Sequence, residues 1–246
     1  MAIMMKKAFL YINCVIDQSV RRGGMIMKWF LCLLIIPALC ADAFTAQQTS
    51  IKLPKPILKG KMTVEESLAA RRSERTFTDK SVNIGEAAQL LWAAQGMNDS
   101  RGYRTAPSAG ATFPLTAYLV AGKVAGLEAG IYRYVPQNHE LIKVKTGDMR
   151  KELALSALGQ WVVERAPASI IFCANYARTT GRYGKRGEMY AHMEAGHAGQ
   201  NIYLQSAALG LATVAVGAFN EAAVAADISC SKDEIPVYIF PIGRRR

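Results

Sequence analysis

Four groups of residues have types and spacings that could do chemistry. Arg71, Arg72, Ser73 and Arg75 place three guanidinium groups and a hydroxyl within five residues. Guanidinium forks match phosphate oxygens bidentately and a serine adds a donor, so the run suits a phosphate as well as it suits a solvated basic helix end. Pro107-Ser108-Ala109-Gly110-Ala111 offers a rigid turn, a hydroxyl and small residues that let the backbone approach something flat. A serine-hydrolase elbow would need glycine where Ala106 stands, and no Asp-then-His order follows. His192-x-Glu194-x-x-His197 has the look of a metal set. Residues five apart, however, lie about 140° apart round a helix and do not share one metal as an i, i+4 pair does. With His139 the only other histidine, no metal site is expected, and His197 reads as a packed or hydrogen-bonded helix residue. Tyr183, Lys185, Arg186 and Tyr190 form a polar run that reads equally as substrate-facing or as surface.

Other chemistries lack their residues. Neither G-x-G-x-x-G nor a P-loop occurs, so no Rossmann or nucleoside-triphosphate site is expected. Of five cysteines, only Cys173 and Cys230 lie beyond the leader described below; with no C-x-x-C, zinc and dithiol redox sites are not expected either. The net charge is +11, of which the first 43 residues hold +3, leaving +8 on the rest. No Lys/Arg stripe interleaved with aromatics marks a nucleic-acid footprint, and a solvated basic surface is the better reading.

These groups need elements to position them, and the first 43 residues do not belong to that frame. Lys28, the apolar run Trp29–Ile36 and Ala41-Asp42-Ala43 read as the parts of a cleavable export signal, with cleavage near Ala43. The run is too short for a stable membrane span. Met25 or Met27 suits such a signal as the start. Arg21-Arg22 leaves a twin-arginine route open and Cys40 a lipoprotein route. Residues 44–62 read as an extended lead-in and 63–246 as one α+β domain.

Within that domain, Thr63-x-x-Glu66 is a capping box that opens a helix through Val64 and Leu68. A second helix starts near Asn83, buries Ala87, Leu90, Leu91 and Ala94, and stops at Gly96 as its C′ residue. Leu115–Ala121 reads as a strand; Ile131–Val135 and Leu141–Lys145 form a hairpin around Pro136-Gln137-Asn138. Asp148 caps a helix with Met149, Leu153 and Ala157 on one face. A buried strand, Ala168–Ala174, and a long Gly/Ala-rich helix, 189–209, come next. Strand Leu211–Val216, helix Glu221–Ile228 and strand Val237–Ile242 complete the chain. Gly196 and Gly199 cost helix propensity, which makes sense where something packs closely.

In order and spacing, a set of segments resembles the nitroreductase-like superfamily, nearest its branch of SagB-type dehydrogenases and azoline oxidases. The segments are Arg71-Arg72-Ser73-x-Arg75, Leu90-Leu91-Trp92-Ala93-Ala94-Gln95-Gly96, Tyr103 to Gly110, Glu194-Ala195-Gly196-His197-x-x-Gln200-Asn201 and Val214-x-Val216-Gly217-Ala218-Phe219. The resemblance covers about Ile51–Gly243. It implies an α+β sandwich with a mixed, mainly antiparallel sheet flanked by helices, forming an intertwined homodimer with FMN at each of two interfaces. On that implication the Arg71-Arg72-Ser73-x-Arg75 run, through Arg71, Ser73 and Arg75, holds the phosphate and ribityl chain. Pro107, Ser108, Ala109 and Gly110 line the flavin ring from the other subunit. The turn Val216-Gly217-Ala218 faces flavin N5, and Asn201 lies on the helix under the cofactor. Arg244 stands where a basic phosphate contact is common, and Tyr183, Lys185 and Tyr190 face the substrate, although family azoline oxidases have an adjacent Lys-Tyr pair.

A flavin carries the redox chemistry itself, which fits the lack of a visible nucleophile or metal. The implied activity is an FMN-dependent oxidoreductase acting by a ping-pong mechanism on a small organic substrate, with NAD(P)H as a diffusible donor. The alternatives are an azoline-type peptide oxidase and a non-catalytic, exported flavin-binding protein.

Overall fold

Alternation along the strands decides the layering. In the buried strand Ala168–Ala174, Ile170 and Phe172 enter one hydrophobic cluster while Ile171 and Cys173 enter another on the opposite face. A strand apolar on both faces must sit mid-sheet with cover on each side. The computed structural model describes residues 50–246; the expected leader and its cleavage point lie outside them.

In chain order the elements are β1 (Ser50–Lys52), α1 (Val64–Ala70), β2 (Val82–Asn83), α2 (Ile84–Gln95), a 3-10 turn (Ala109–Ala111), β3 (Leu115–Ala121), β4 (Val124–Ala125), β5 (Gly130–Val135) and β6 (Glu140–Thr146). Then follow α3 (Arg150–Ser156), α4 (Trp161–Arg165), β7 (Ala168–Ala174), α5 (Ala177–Tyr183), α6 (Arg186–Ala208), β8 (Leu211–Thr213), α7 (Glu221–Ile228) and β9 (Ile235–Arg244). Seven strands make one sheet in the order β1-β6-β5-β3-β7-β9-β8, with every neighbour antiparallel. The parallel pair β2–β4 stands apart. Helices α2 and α6 cover one face through Leu90, Leu91, Ala195 and Ile202. Helices α3, α4 and α7 cover the other through Leu153, Val163 and Val224. This is the expected α+β sandwich.

The expected capping box of Thr63 with Glu66 forms on α1, and the helix expected near Asn83 opens with a second, Asn83 with Glu86 on α2. Five details differ from expectation. The lead-in carries β1, which pairs with β6. Gly96 ends α2 in an extended conformation (φ −67°, ψ 154°), not as a left-handed C′ residue. Glycine is needed there because a Cβ would lie 2.2 Å from the Trp92 ring. Asp148 is not the N-cap residue, a position Met149 holds; its carboxylate accepts the Arg150 N–H at 3.2 Å and also chelates the Arg150 guanidinium. β8 stops at Thr213, and Val216 rejoins the sheet only as an isolated bridge to Ile239. Val64 and Leu68 of α1 face outward, 65% and 52% exposed. Cys173 and Cys230 are both free thiols.

The length of α6 and its weak propensity are reconciled by packing. Its buried face runs Gly187, Ala191, Glu194, Ala195, Ala198, Gly199, Ile202 and Ser206, the 3–4 spacing of one helical stripe. Small residues let the helix axis approach the sheet. At Gly199 a Cβ would lie 2.6 Å from the Phe240 ring, which is fully buried. Gly196, by contrast, faces open space. Gly199→Ala is expected to destabilise the fold by about 1–3 kcal/mol through overpacking, whereas Gly196→Ala gains helix propensity and is neutral or stabilising. Urea denaturation of the two variants checks the contrast.

Candidate functional site

On one flank of α6, a tyrosine gathers the arginine run. Arg71 ends α1, where its N–H donates to the Ser67 carbonyl and its own φ/ψ turns the chain extended. The run then passes β8, with the Glu74 N–H donating to the Thr213 carbonyl at 2.9 Å. Ser73 Oγ lies 3.0 Å from the Tyr203 hydroxyl of α6. The same hydroxyl accepts the Ala215 N–H at 2.8 Å, and the Arg71 guanidinium stacks 5.2 Å from the Tyr203 ring. One side chain thus ties residues 71–75 to the turn Val216-Gly217-Ala218. Among the described residues, the guanidiniums of Arg71 and Arg75 have no hydrogen-bond or salt-bridge partner, and the exposed N–H groups of Gly217 and Ala218 donate to none. Arg72 folds back onto the carbonyls of Ala69 and Arg71.

Arg244, expected as a basic phosphate contact, is paired with a carboxylate. Its Nη1 pairs with Glu86 at 2.7 Å, its Nη2 with the same carboxylate at 2.9 Å, and its Nε donates to the Ser81 carbonyl at 3.2 Å. Three of its five N–H donors are engaged in this way, which fastens β9 to the start of α2, and the side chain stays 30% exposed.

The other flank holds the second expected segment. Ser108 Oγ accepts the Phe113 N–H at 2.9 Å. Gly110 has φ +58°, and a Cβ there would lie 2.5 Å from the Tyr183 hydroxyl, so close approach and left-handed backbone both demand glycine. Arg182 Nη1 donates to the Gly110 carbonyl at 3.1 Å. The Tyr183 and Tyr190 rings meet edge to face with centroids 5.2 Å apart. These two expected substrate-facing residues therefore adjoin the Pro107–Gly110 turn. Lys185 sits exposed at the N-cap of α6. Asn201 Nδ2 donates to the carbonyls of Ala93 (2.9 Å) and Thr105 (3.4 Å), which pins α2 and the segment leading to the turn onto α6. His197 is exposed, not packed as expected, while His192 Nε2 lies 3.1 Å from the Tyr176 hydroxyl.

Glu194 is the site feature that sequence reading passed over. Its side chain is buried on the same flank, and neither carboxyl oxygen has a donor within hydrogen-bonding geometry. Burial pushes its pKa up to about 7, against the opposing pull of nearby Ser108, Arg104 and Gln95. Glu234 is a useful contrast: also buried, though less deeply, it accepts the hydroxyls of Tyr118 (2.7 Å) and Thr116 (2.5 Å). The spacing Ala191, Glu194, Ala198 on the small-residue stripe was the available signal.

The two flanks do not face each other. Tyr203 and Glu194 are nine residues apart on α6, which is about 13 Å along the axis and roughly 180° around it. The arginine run with the Gly217 turn, and the Pro107–Gly110 turn with its tyrosines, thus adjoin opposite sides of α6. The first has unpaired guanidiniums and free N–H groups, donors suited to a phosphate and to electronegative ring atoms. The second has a glycine-flattened backbone beside a hydroxyl, suited to a flat ring. The two donor sets differ in kind, one suited to an anion and the other to a ring face.

Residues 68–244 match the nitroreductase family. The chain belongs to the nitroreductase family. It is similar to a protein of Methanocaldococcus jannaschii assigned as a nitroreductase, with 42% identity over 182 residues, 74% of this chain and 91% of the relative. A crystal structure from Ralstonia eutropha, also assigned as a nitroreductase, superposes with a TM-score of 0.71 at 33% identity, covering 80% of this chain and 90% of that one. The Escherichia coli microcin synthetase McbBCD complex with truncated pro-MccB17 bound shares the fold, with a TM-score of 0.61 at 22% identity over 94% of this chain and 86% of its own.

The raised pKa of Glu194 has a definite sign for stability. A carboxyl whose folded pKa is about 7 against an ordinary 4.5 favours folding at low pH and loses that contribution as pH rises through 7. Glu194→Gln is expected to remove up to about 3 kcal/mol of this pH dependence. Relative to wild type the variant should therefore gain stability between pH 5 and pH 8, measured by chemical denaturation at each pH.

Proposed function

We propose that this nitroreductase-family protein is an FMN-dependent oxidoreductase of the SagB-type branch that works as a homodimer. The observation that carries the reading is the pair of half-sites on opposite flanks of α6, each with part of the donor set for one flavin. A second copy of the chain, packed so that its Pro107–Gly110 turn meets residues 71–75 and 216–218, makes each site whole. Surface chemistry supports such a partner. Met189, Met193 and Gly196 lie exposed along one side of α6 at 4- and 3-residue steps, and Val64 and Leu68 expose the apolar side of α1. A groove of about 660 Å³ between the lead-in, α1, α2 and the C-terminal part of α6 is lined by Ile57, Leu58, Val64 and Trp92. Exposed apolar patches of this extent mark interfaces.

In this reading Arg71 and Arg75 hold the phosphate bidentately, and Ser73 adds its hydroxyl while Tyr203 fixes its position. The N–H groups of Gly217 and Ala218 present donors to the ring edge, and Ser108 to Gly110 close over its plane. Tyr183 and Tyr190 border the open side, where a small oxidised organic substrate docks. Bound FMN supplies hydride and single-electron chemistry, so the protein need only bind, orient and tune it. NAD(P)H serves as a diffusible donor, since the chain has no dinucleotide fingerprint of its own. The peptide-oxidase alternative draws on the fold shared with the microcin synthetase complex, but Tyr183 and Lys185 are not adjacent in this chain. Export with cleavage near Ala43 belongs to the same proposal, and N-terminal sequencing of the mature protein tests it.

Purified protein is expected to carry a flavin absorbance band near ~450 nm, released by heat as FMN. Arg71→Ala/Arg75→Ala is expected to lose the band while keeping its fold by circular dichroism. Wild-type protein that stays colourless and refuses added FMN overturns the proposal.

A further inference from the structure

On the turn flank, the polar side chains of Gln95, Arg104, Ser108 and Glu194 lie close together. Arg104 Nη1 donates to Gln95 Oε1 at 2.6 Å, which leaves Gln95 Nε2, on a residue 1% exposed, without an acceptor. The Phe113 N–H occupies Ser108 Oγ as an acceptor, which leaves the Ser108 hydroxyl proton free to be donated. Glu194, 2% exposed, lies among them with both oxygens unpartnered. Buried polar groups are rarely left so. Here two unused donors and two unused acceptors adjoin one another, and they belong to the turn, to α2 and to α6.

The charged surroundings are few. Arg104, from the segment after α2, is the cation that acts on Glu194. Arg104 is itself influenced by Arg178 of α5 and by Tyr134 of β5. Nothing else charged acts on the carboxyl among the described residues. A carboxylate there accepts from Ser108 and Gln95 together and is balanced by Arg104. A neutral carboxyl has a proton to place and one acceptor fewer, so it does not hold both donors as strongly.

We propose that Glu194 is a positioning residue for the Pro107–Gly110 turn: ionised, it draws in the Ser108 hydroxyl and the Gln95 amide and fixes the turn against α6, and protonated it releases them. A ligand that needs the ordered turn then binds according to the charge on Glu194. The identity of that ligand as FMN rests on the function proposed above; the coupling between Glu194 and the turn does not. Burial makes the charge costly to the fold as a whole, yet the charged form is the one that Ser108, Arg104 and Gln95 hold. The turn tightens in the same pH range in which global stability falls, and that opposition separates a local device from a general loss of structure.

Hydrogen–deuterium exchange of the ligand-free full chain reads the turn directly. Between pH 6 and pH 8, amides of residues 108–113 are expected to gain roughly tenfold protection after correction for intrinsic rates, the worth of one charge-assisted hydrogen bond. Glu194→Gln is expected to show no such gain, and Ser108→Ala to lose most of it with Glu194 intact. Equal pH profiles in wild type and Glu194→Gln overturn the proposal. Infrared difference spectroscopy covers the case of a misfolded Glu194→Gln: the wild type is expected to lose a protonated-carboxyl C=O band between pH 6 and pH 8, and a silent spectrum overturns the proposal. FMN affinity, followed by flavin fluorescence, is expected to rise about tenfold over the same range in wild type and to stay flat in Glu194→Gln. Failure of FMN to bind at either pH defeats the flavin reading alone, and the exchange profiles then decide the role of Glu194.

Discussion

The close approach of α6 to the sheet is the contact on which the rest of the site depends. Gly199 sits against the Phe240 ring where a Cβ does not fit, and alanines line the stripe above and below it. Because the helix lies so near β9, Tyr203 reaches the arginine run and the Ala215 N–H, joining two distant stretches of chain at one hydroxyl. On the opposite side, Asn201 and Glu194 are seven residues apart, two helical turns, and so look the same way. Asn201 takes hold of α2 and Thr105; Glu194 lies under the Ser108 turn. One rigid rod thus sets the geometry of both half-sites, and a larger residue at Gly199 would disturb both.

That arrangement has an electrostatic cost. The stripe that brings α6 close to its neighbours is apolar except at Glu194 and Ser206, and burial without partners raises the carboxyl pKa to about 7. Glu234 shows that the fold can satisfy a buried carboxylate when structure is the only demand. Glu194 is left open beside a turn with binding chemistry, at the point where a proton near neutral pH changes what that turn can hold. On the other flank, Arg244 and Arg245 are bound to Glu86 and Glu74. Among the described residues Arg71 and Arg75 stay unpaired, which is what the proposed phosphate contact requires.

Much of this was legible in the residues. Both capping boxes and the alternating strands are local signals, and the structure realises them. The arginine run and the Pro-Ser-Ala-Gly turn were recognisable because their chemistry is contained within a few consecutive residues. What stayed hidden depends on contacts distant in sequence. The commitment of Arg244 to Glu86 spans 158 residues, and no pattern near either one announces it. The glycine at 96 reads as a helix stop from its position, yet the Trp92 ring is what requires it. Glu194 was masked by its two flanking histidines, which drew attention to a metal motif that helical geometry forbids, although the small-residue stripe already placed it inward.

In the proposed dimer one flavin site is assembled from opposite flanks of two chains. Mixed dimers test it most directly, by co-refolding Arg71→Ala/Arg75→Ala chains with Gly110→Val chains, each unable to bind FMN alone. If the site is shared between copies, a mixed dimer contains one site built from two intact halves, and it is expected to recover FMN at one per dimer. If each site lies within a single chain, no mixed dimer has an intact site, and the absence of FMN in the purified heterodimer would contradict the account.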